Sequence, residues 1–177
     1  MTAVRTMRMG FIDAEDRLLL DFVYPDRAET MLATRRIIRR VILGIARIIE
    51  QSSPVLARVP ASQQTEILVW EHLSALQIED GPKAEGGAGE AAPSSLRPPP
   101  PWPLLTKLDI NTLSSSFQLR FESRDSAVTL TMSRPELHRL LASLRQLARH
   151  AEWDLDTQVG WLVEADTPQM HPGHLAS

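Results

Sequence analysis

Residues 123–147 read SRDSAVTLTMSRPELHRLLASLRQL, and residues 24–48 read YPDRAETMLATRRIIRRVILGIARI. The two stretches lie ninety-nine positions apart and share few letters, yet their polar and apolar positions coincide. Each opens on a polar break holding Asp26 or Asp125, where an aspartate can bond its own backbone and close a turn. Each then reaches a residue suited to cap a helix, Thr34 or Ser133. In the later stretch S-R-P-E is a full capping box, with Ser133 at the cap, Pro135 in the first turn and Glu136 at the third helical position. Apolar residues at helical spacing follow: Ile38, Val41, Ile42, Ile45 and Ile48 in one, Leu137, Leu140, Leu141, Leu144 and Leu147 in the other.

Working outward, the same shift carries residues 7–49 onto 106–148 without a gap. Leu18, Leu20 and Phe22 alternate with period two and so share one face of a strand. Phe117, Leu119 and Phe121 repeat them, with Gln118, Arg120 and Glu122 on the opposite face. Met9 and Phe11 fall on Leu108 and Ile110, and Met31 and Ala33 on Leu130 and Met132. Each copy therefore reads strand, strand, strand, helix. One such unit is small and marginal alone, so two copies are expected to share a core.

The fold class expected is α+β: tandem duplicated strand-strand-strand-helix modules, antiparallel sheets with helices packed on one face, joined by a Gly/Pro-rich linker. The first module spans 5–58 and the second 104–164, the latter ending in a short strand within TQVGWLVEA. Residues 60–78 form an additional amphipathic helix. Residues 79–103 hold most of the glycine and proline and read as a flexible linker. About 25 such residues have a span on the order of 25–30 Å, enough for the modules to pair within one chain or between two. Its PPPP run before Trp102 is read as a spacer in preference to a ligand for a proline-binding domain. Residues 165–177 are expected to be a disordered tail.

Composition narrows the chemistry. The 177 residues carry a net charge of −3, so the whole chain is no polycation. With no cysteine there are no disulfides and no thiolate ligands or nucleophiles. No secretory or membrane-spanning apolar run is present: IIRRVILGIARII is interrupted by Arg39, Arg40 and Arg47. A cytoplasmic protein is expected, with no membrane partner.

No G-x-S-x-G, Walker or G-x-G-x-x-G pattern occurs, and Asp13, Glu15 and Asp16 read as a solvated hairpin turn. His138 is expected at a surface or boundary. His150 is placed near a helix C-terminus, and His171 and His174 in the tail. Catalytic, cofactor-binding and metal-binding residues are therefore assigned to none, and no cofactor is expected. Two features suit binding. Trp70, with Ile67 and Leu73, marks the additional helix as a partner-binding surface. Arg36, Arg40 and Arg47 fall on one stripe of the first helix, where they could contact phosphates. The function expected is a non-enzymatic protein–protein interaction module, an adaptor or small accessory subunit of a larger bacterial-type assembly. Its partner would be another protein or a second copy, as a homodimer. The alternative is a nucleic-acid-binding regulator that uses the arginine-rich helix.

Overall fold

In the computed structural model, which describes residues 4–77 and 99–167, the alternating stretches are strands of two antiparallel sheets. β1 (Thr6–Ile12), β2 (Arg17–Val23) and β3 (Ala28–Ala33) form the first, in the order β1-β2-β3. Helices α1 (Arg35–Gln51) and α2 (Ala61–Gln77) follow. β4 (Lys107–Thr112), β5 (Phe117–Glu122) and β6 (Ala127–Met132) form the second sheet, in the order β4-β5-β6. α3 (Arg134–His150) and α4 (Gly160–Asp166) complete the described fold. The class is α+β.

β3 and β6, and likewise α1 and α3, begin and end ninety-nine positions apart. The first strands do not keep that spacing. Met7 lies opposite Phe22 and Leu108 opposite Phe121, so Met7 corresponds to Leu108 and Met9 to Ile110. The gapless match therefore fails by two residues at β1. Both hairpin loops hold four residues, but the second sits one position later along the chain. Moving a turn by one residue slides the preceding strand by two against its partner. Side chains alternate with period two, so the inward face is preserved.

The inner faces meet in one core. Leu18, Leu20, Phe22, Leu119 and Phe121 are all at most 2 % exposed. The Phe22 and Phe121 rings lie 5.0 Å apart, a tilted contact that joins the central strands of the two sheets. α1 adds Ile38, Val41, Ile42, Ile45 and Ile49; Ile49 takes the buried place expected of Ile48, which is half-buried. All five expected leucines of α3 are buried.

Both caps form. Thr34 Oγ1 accepts from the Ile37 N–H, and Ser133 and Glu136 make the reciprocal capping box. In the second polar break Ser123, not Asp125, supplies the turn-closing side chain: its Oγ accepts from the Ser126 N–H at 3.0 Å. The first residues of α1 and α3 each reach the far end of the other helix. Arg35 donates to the Asp154 carbonyl beyond α3, and Arg134 donates to the Ile49 carbonyl and Ser52 Oγ at the end of α1. α1 and α3 thus pack antiparallel.

Several expectations need correction. The linker does not stay loose to residue 103: the Leu32 N–H donates to the Pro103 carbonyl and the Leu105 N–H to the Leu32 carbonyl, a parallel bridge on the outer edge of β3. A sheet edge has unpaired backbone groups to offer, and proline can still accept there through its carbonyl. The rest of that linker, residues 79–98, lies outside the described residues. The segment expected as a final strand is helix α4, which buries the neighbours Trp161 and Leu162. Of the expected tail, residues 168–177 lie outside the described residues, whereas Asp166 ends α4 and pairs with Arg145 and Arg149. No described helix is long and apolar enough to cross a membrane.

Candidate functional site

α2 follows a short helical turn at Leu56–Arg58, to which Gln64 ties it by donating to the Leu56 carbonyl at 3.0 Å. It packs inward through Leu68, Val69, His72 and Ala75. His72 lies four positions after Leu68, three after Val69 and three before Ala75, so they form one buried stripe. The stripe is displaced from the one read off the sequence. Ile67 and Leu73 are half-buried at its flank, while Trp70 is 53 % and Leu76 44 % exposed. Of the three residues expected to bind a partner, Trp70 alone stands in solvent.

On the inward side lies a polar cluster that sequence reasoning missed. His72 Nδ1 and His138 Nδ1 are 3.1 Å apart, and the two residues are 3 % and 0 % exposed. A hydrogen bond between two imidazole nitrogens requires one to donate and the other to accept. The indole of Trp161 meets both rings edge-on, at 5.5 and 6.0 Å, and donates its N–H to Glu50 Oε1 at 2.8 Å. Next along α2, Glu71 takes a forked pair of hydrogen bonds from Arg134. The same guanidinium holds Ser52 Oγ at 2.8 Å and the Ile49 carbonyl at 2.7 Å. One arginine of α3 therefore ties α1 and α2 together, and the histidine pair adds a second link between α2 and α3.

The electrostatics follow from burial. Burial, then the His138 imidazole, then Arg145 push the His72 pKa down to about 4, against a smaller opposite pull from Asp166. Burial works to raise the Glu71 carboxyl; His138 and Arg134 beside it prevail and hold it down at about 2. His138 Nε2 is 3.7 Å from Glu71 Oε1, beyond hydrogen-bond length, and it has no hydrogen-bond partner among the described residues. His138 is thus a core residue, not the surface or boundary residue expected. The signal was present: His138 is three residues before Leu141, and His72 is three after Val69, each within an apolar stripe.

The arginine stripe lies elsewhere. Arg35 and Arg39 are spent on the carbonyls of Asp154 and Asp156. Arg36, Arg40 and Arg47 are exposed and hold no ion pair among the described residues. The acidic turn at Asp13–Asp16 is exposed as expected, but not purely solvated, since Asp16 accepts the Trp153 indole N–H at 2.5 Å. Among the described residues no group of three or more His, Asp or Glu could hold a metal ion. Comparisons with protein-family models, curated proteins and solved structures found no match to the chain.

Proposed function

We propose that this chain is a non-enzymatic protein–protein interaction module, an adaptor or accessory subunit of a larger assembly, built from a duplicated strand-strand-strand-helix unit. The observation that carries the reading is Trp70, 53 % exposed on a helix already fixed to the core by its opposite side. A rigidly presented tryptophan has a large apolar area to bury and little conformational entropy to lose, which makes it a favoured anchor at interfaces. His72 and His138 are sealed from solvent and serve to join helices. The equal ninety-nine-residue spacing of β3 to β6 and α1 to α3 supports the duplication.

A second reading, nucleic-acid binding, has one observation in its favour: Arg36, Arg40 and Arg47 are exposed and unpaired among the described residues. Affinity capture of the tagged chain from its native lysate, with and without nuclease, separates the two. The expected result is a stoichiometric protein, or a second copy of the chain, that survives nuclease and is lost in Trp70→Ala while the variant's melting temperature stays unchanged. Retention that Trp70→Ala leaves intact, or that vanishes with nuclease, overturns the first reading.

A further inference from the structure

Arg36, Arg40 and Arg47, unpaired among the described residues, are arranged around a glycine. Arg36, Arg40, Gly44 and Arg47 succeed one another at offsets of four, four and three, so they run along one exposed side of α1. Gly44 is in the middle of a helix, where glycine is the least favoured residue after proline. Among the described residues nothing requires it, since a Cβ placed there would meet none of their atoms within 4 Å. The space above it is a cleft of about 190 Å³ between α1 and β4. Ile37, Val41, Leu108 and Ile110 make its apolar walls, and Arg40 stands at its rim. Lys107, also at the rim, is committed to Asp109 at 2.6 Å.

The equivalent cleft in the other half sharpens the point. It lies between α3, β1 and β6, where Met7, Met9 and Leu140 replace Leu108, Ile110 and Val41 and Leu130 and Met132 of β6 add a further wall. Its charges differ: Glu136 sets a negative charge beside Arg139 and Arg5. Ser143 stands where α1 has Gly44, and Pro135 and Gln146 stand where it has Arg36 and Arg47. One cleft is cationic and has Gly44 in its wall; the other is mixed in charge, and Ser143 does not line it.

We propose that the cleft between α1 and β4 is a docking groove for an acidic, amphipathic segment of a partner protein. In this arrangement the segment's apolar side chains enter between Ile37, Val41, Leu108 and Ile110. Its backbone approaches α1 over Gly44, and its carboxylates face Arg36, Arg40 and Arg47. Apolar walls favour a polypeptide over nucleic acid, whose bases would instead call for exposed aromatic platforms. The inference rests on the reading of the chain as an interaction module, but on a different helix from Trp70, so the two can fail separately.

The test is a phage-displayed library of random peptides of about 16 residues, long enough to form a helix on binding. It is panned on the full chain and counter-selected on Gly44→Leu. The expected winners are rich in Asp and Glu, with apolar residues three and four apart. Synthesised and measured by fluorescence anisotropy, they should lose affinity about tenfold or more with Gly44→Leu, and again with Arg36→Glu/Arg40→Glu. Trp70→Ala should leave that affinity unchanged. Gly44→Ala, which meets no atom of the fold, guards against misfolding and should give a smaller loss in the same direction. Absence of enrichment, winners without acidic residues, or affinities that these variants do not move overturn the proposal. So does tighter binding of a single-stranded oligonucleotide of about 20 nucleotides that depends on the arginines and ignores Gly44→Leu.

Discussion

The first sheet turns buried residues to both of its faces, whereas the second turns them to one. On β2 the residues between the core positions, Leu19, Asp21 and Val23, are as enclosed as Leu18, Leu20 and Phe22. On β3, Thr30 and Leu32 are each 4 % exposed, and the Thr30 hydroxyl donates to buried Asp21 at 2.7 Å. On β5 the corresponding positions are half-buried Gln118 and Glu122 and exposed Arg120, and on β6 Thr129 and Thr131 are exposed. The halves agree where local structure is set, in the helix caps, the core stripes and the spacing of β3 and β6. They part where side chains leave that shared frame. Equal backbone geometry therefore does not imply equal surroundings, and each half commits its second face to a different use.

Substitutions at paired positions test this directly. Phe22→Ala and Phe121→Ala, at rings that meet in the common core, should each cost about 3–5 kcal/mol. One position removed from each pattern, Leu19→Ala should cost about 2–5 kcal/mol and Gln118→Ala no more than about 0.5 kcal/mol. Urea titrations of the four variants read both halves of the comparison. A small cost at Leu19 would make the first sheet one-sided after all, and the contrast between the sheets would collapse.

The halves also differ in how their helices are tied, and acid should expose that. α3 is joined to α2 through the histidine pair, an arrangement α1 lacks, because position 39, the counterpart of His138, is exposed Arg39. The charges around the pair are Glu71 on α2, Arg134 and Arg145 on α3, Glu50 on α1 and Asp166 on α4. A histidine held down at about 4 in the fold takes up its proton near 6.5 once unfolded. Its contribution is complete above pH 6.5 and is lost as the pH falls from there to about 4, roughly 3 kcal/mol in all. Glu71, held at about 2, adds a loss in the same direction only below about pH 4.5. Denaturant titrations between pH 7 and 4.5 should show stability falling in the wild type and a flatter course in His72→Gln. Equal slopes would remove His72 from the account.

Much of this fold could be read from the sequence because its signals are local. The alternation at Leu18–Phe22 and at Phe117–Phe121, the caps at Thr34 and Ser133, and the leucine stripe of α3 each follow from neighbours a few residues away. What could not be read depends on distant partners. The two-residue slide of β1 leaves every inward side chain inward, so periodicity alone does not reveal it. The bridge from Pro103–Leu105 to Leu32 joins segments more than seventy positions apart. The histidine pair needs α2 and α3 in contact before either imidazole gains a partner. Of the expected binding residues, Trp70 and the three arginines are exposed, because a helical stripe marks its own outward side. Ile67 and Leu73 are half-buried, because α2 is apolar on more than one side and its sequence does not specify which side faces the core.

The smallest effect bears most closely on what the difference between α1 and α3 means. Gly44→Ala should stabilise the chain by about 1 kcal/mol, the helix-propensity difference, since the added methyl touches nothing. Ser143→Ala, at the matching position of α3, should stabilise by only about half as much. Both follow from midpoint shifts in urea. Glycine at position 44 then holds stability below what the fold allows, and a reason outside the fold is required. If Gly44→Ala stabilises the chain and weakens binding of the acidic peptide, that reason is access to the helix backbone. If it stabilises the chain and leaves binding intact, the cleft over α1 has no more claim on a partner than its counterpart over α3. If it does not stabilise at all, the space above Gly44 is already filled, and the two clefts differ less than their outlines suggest.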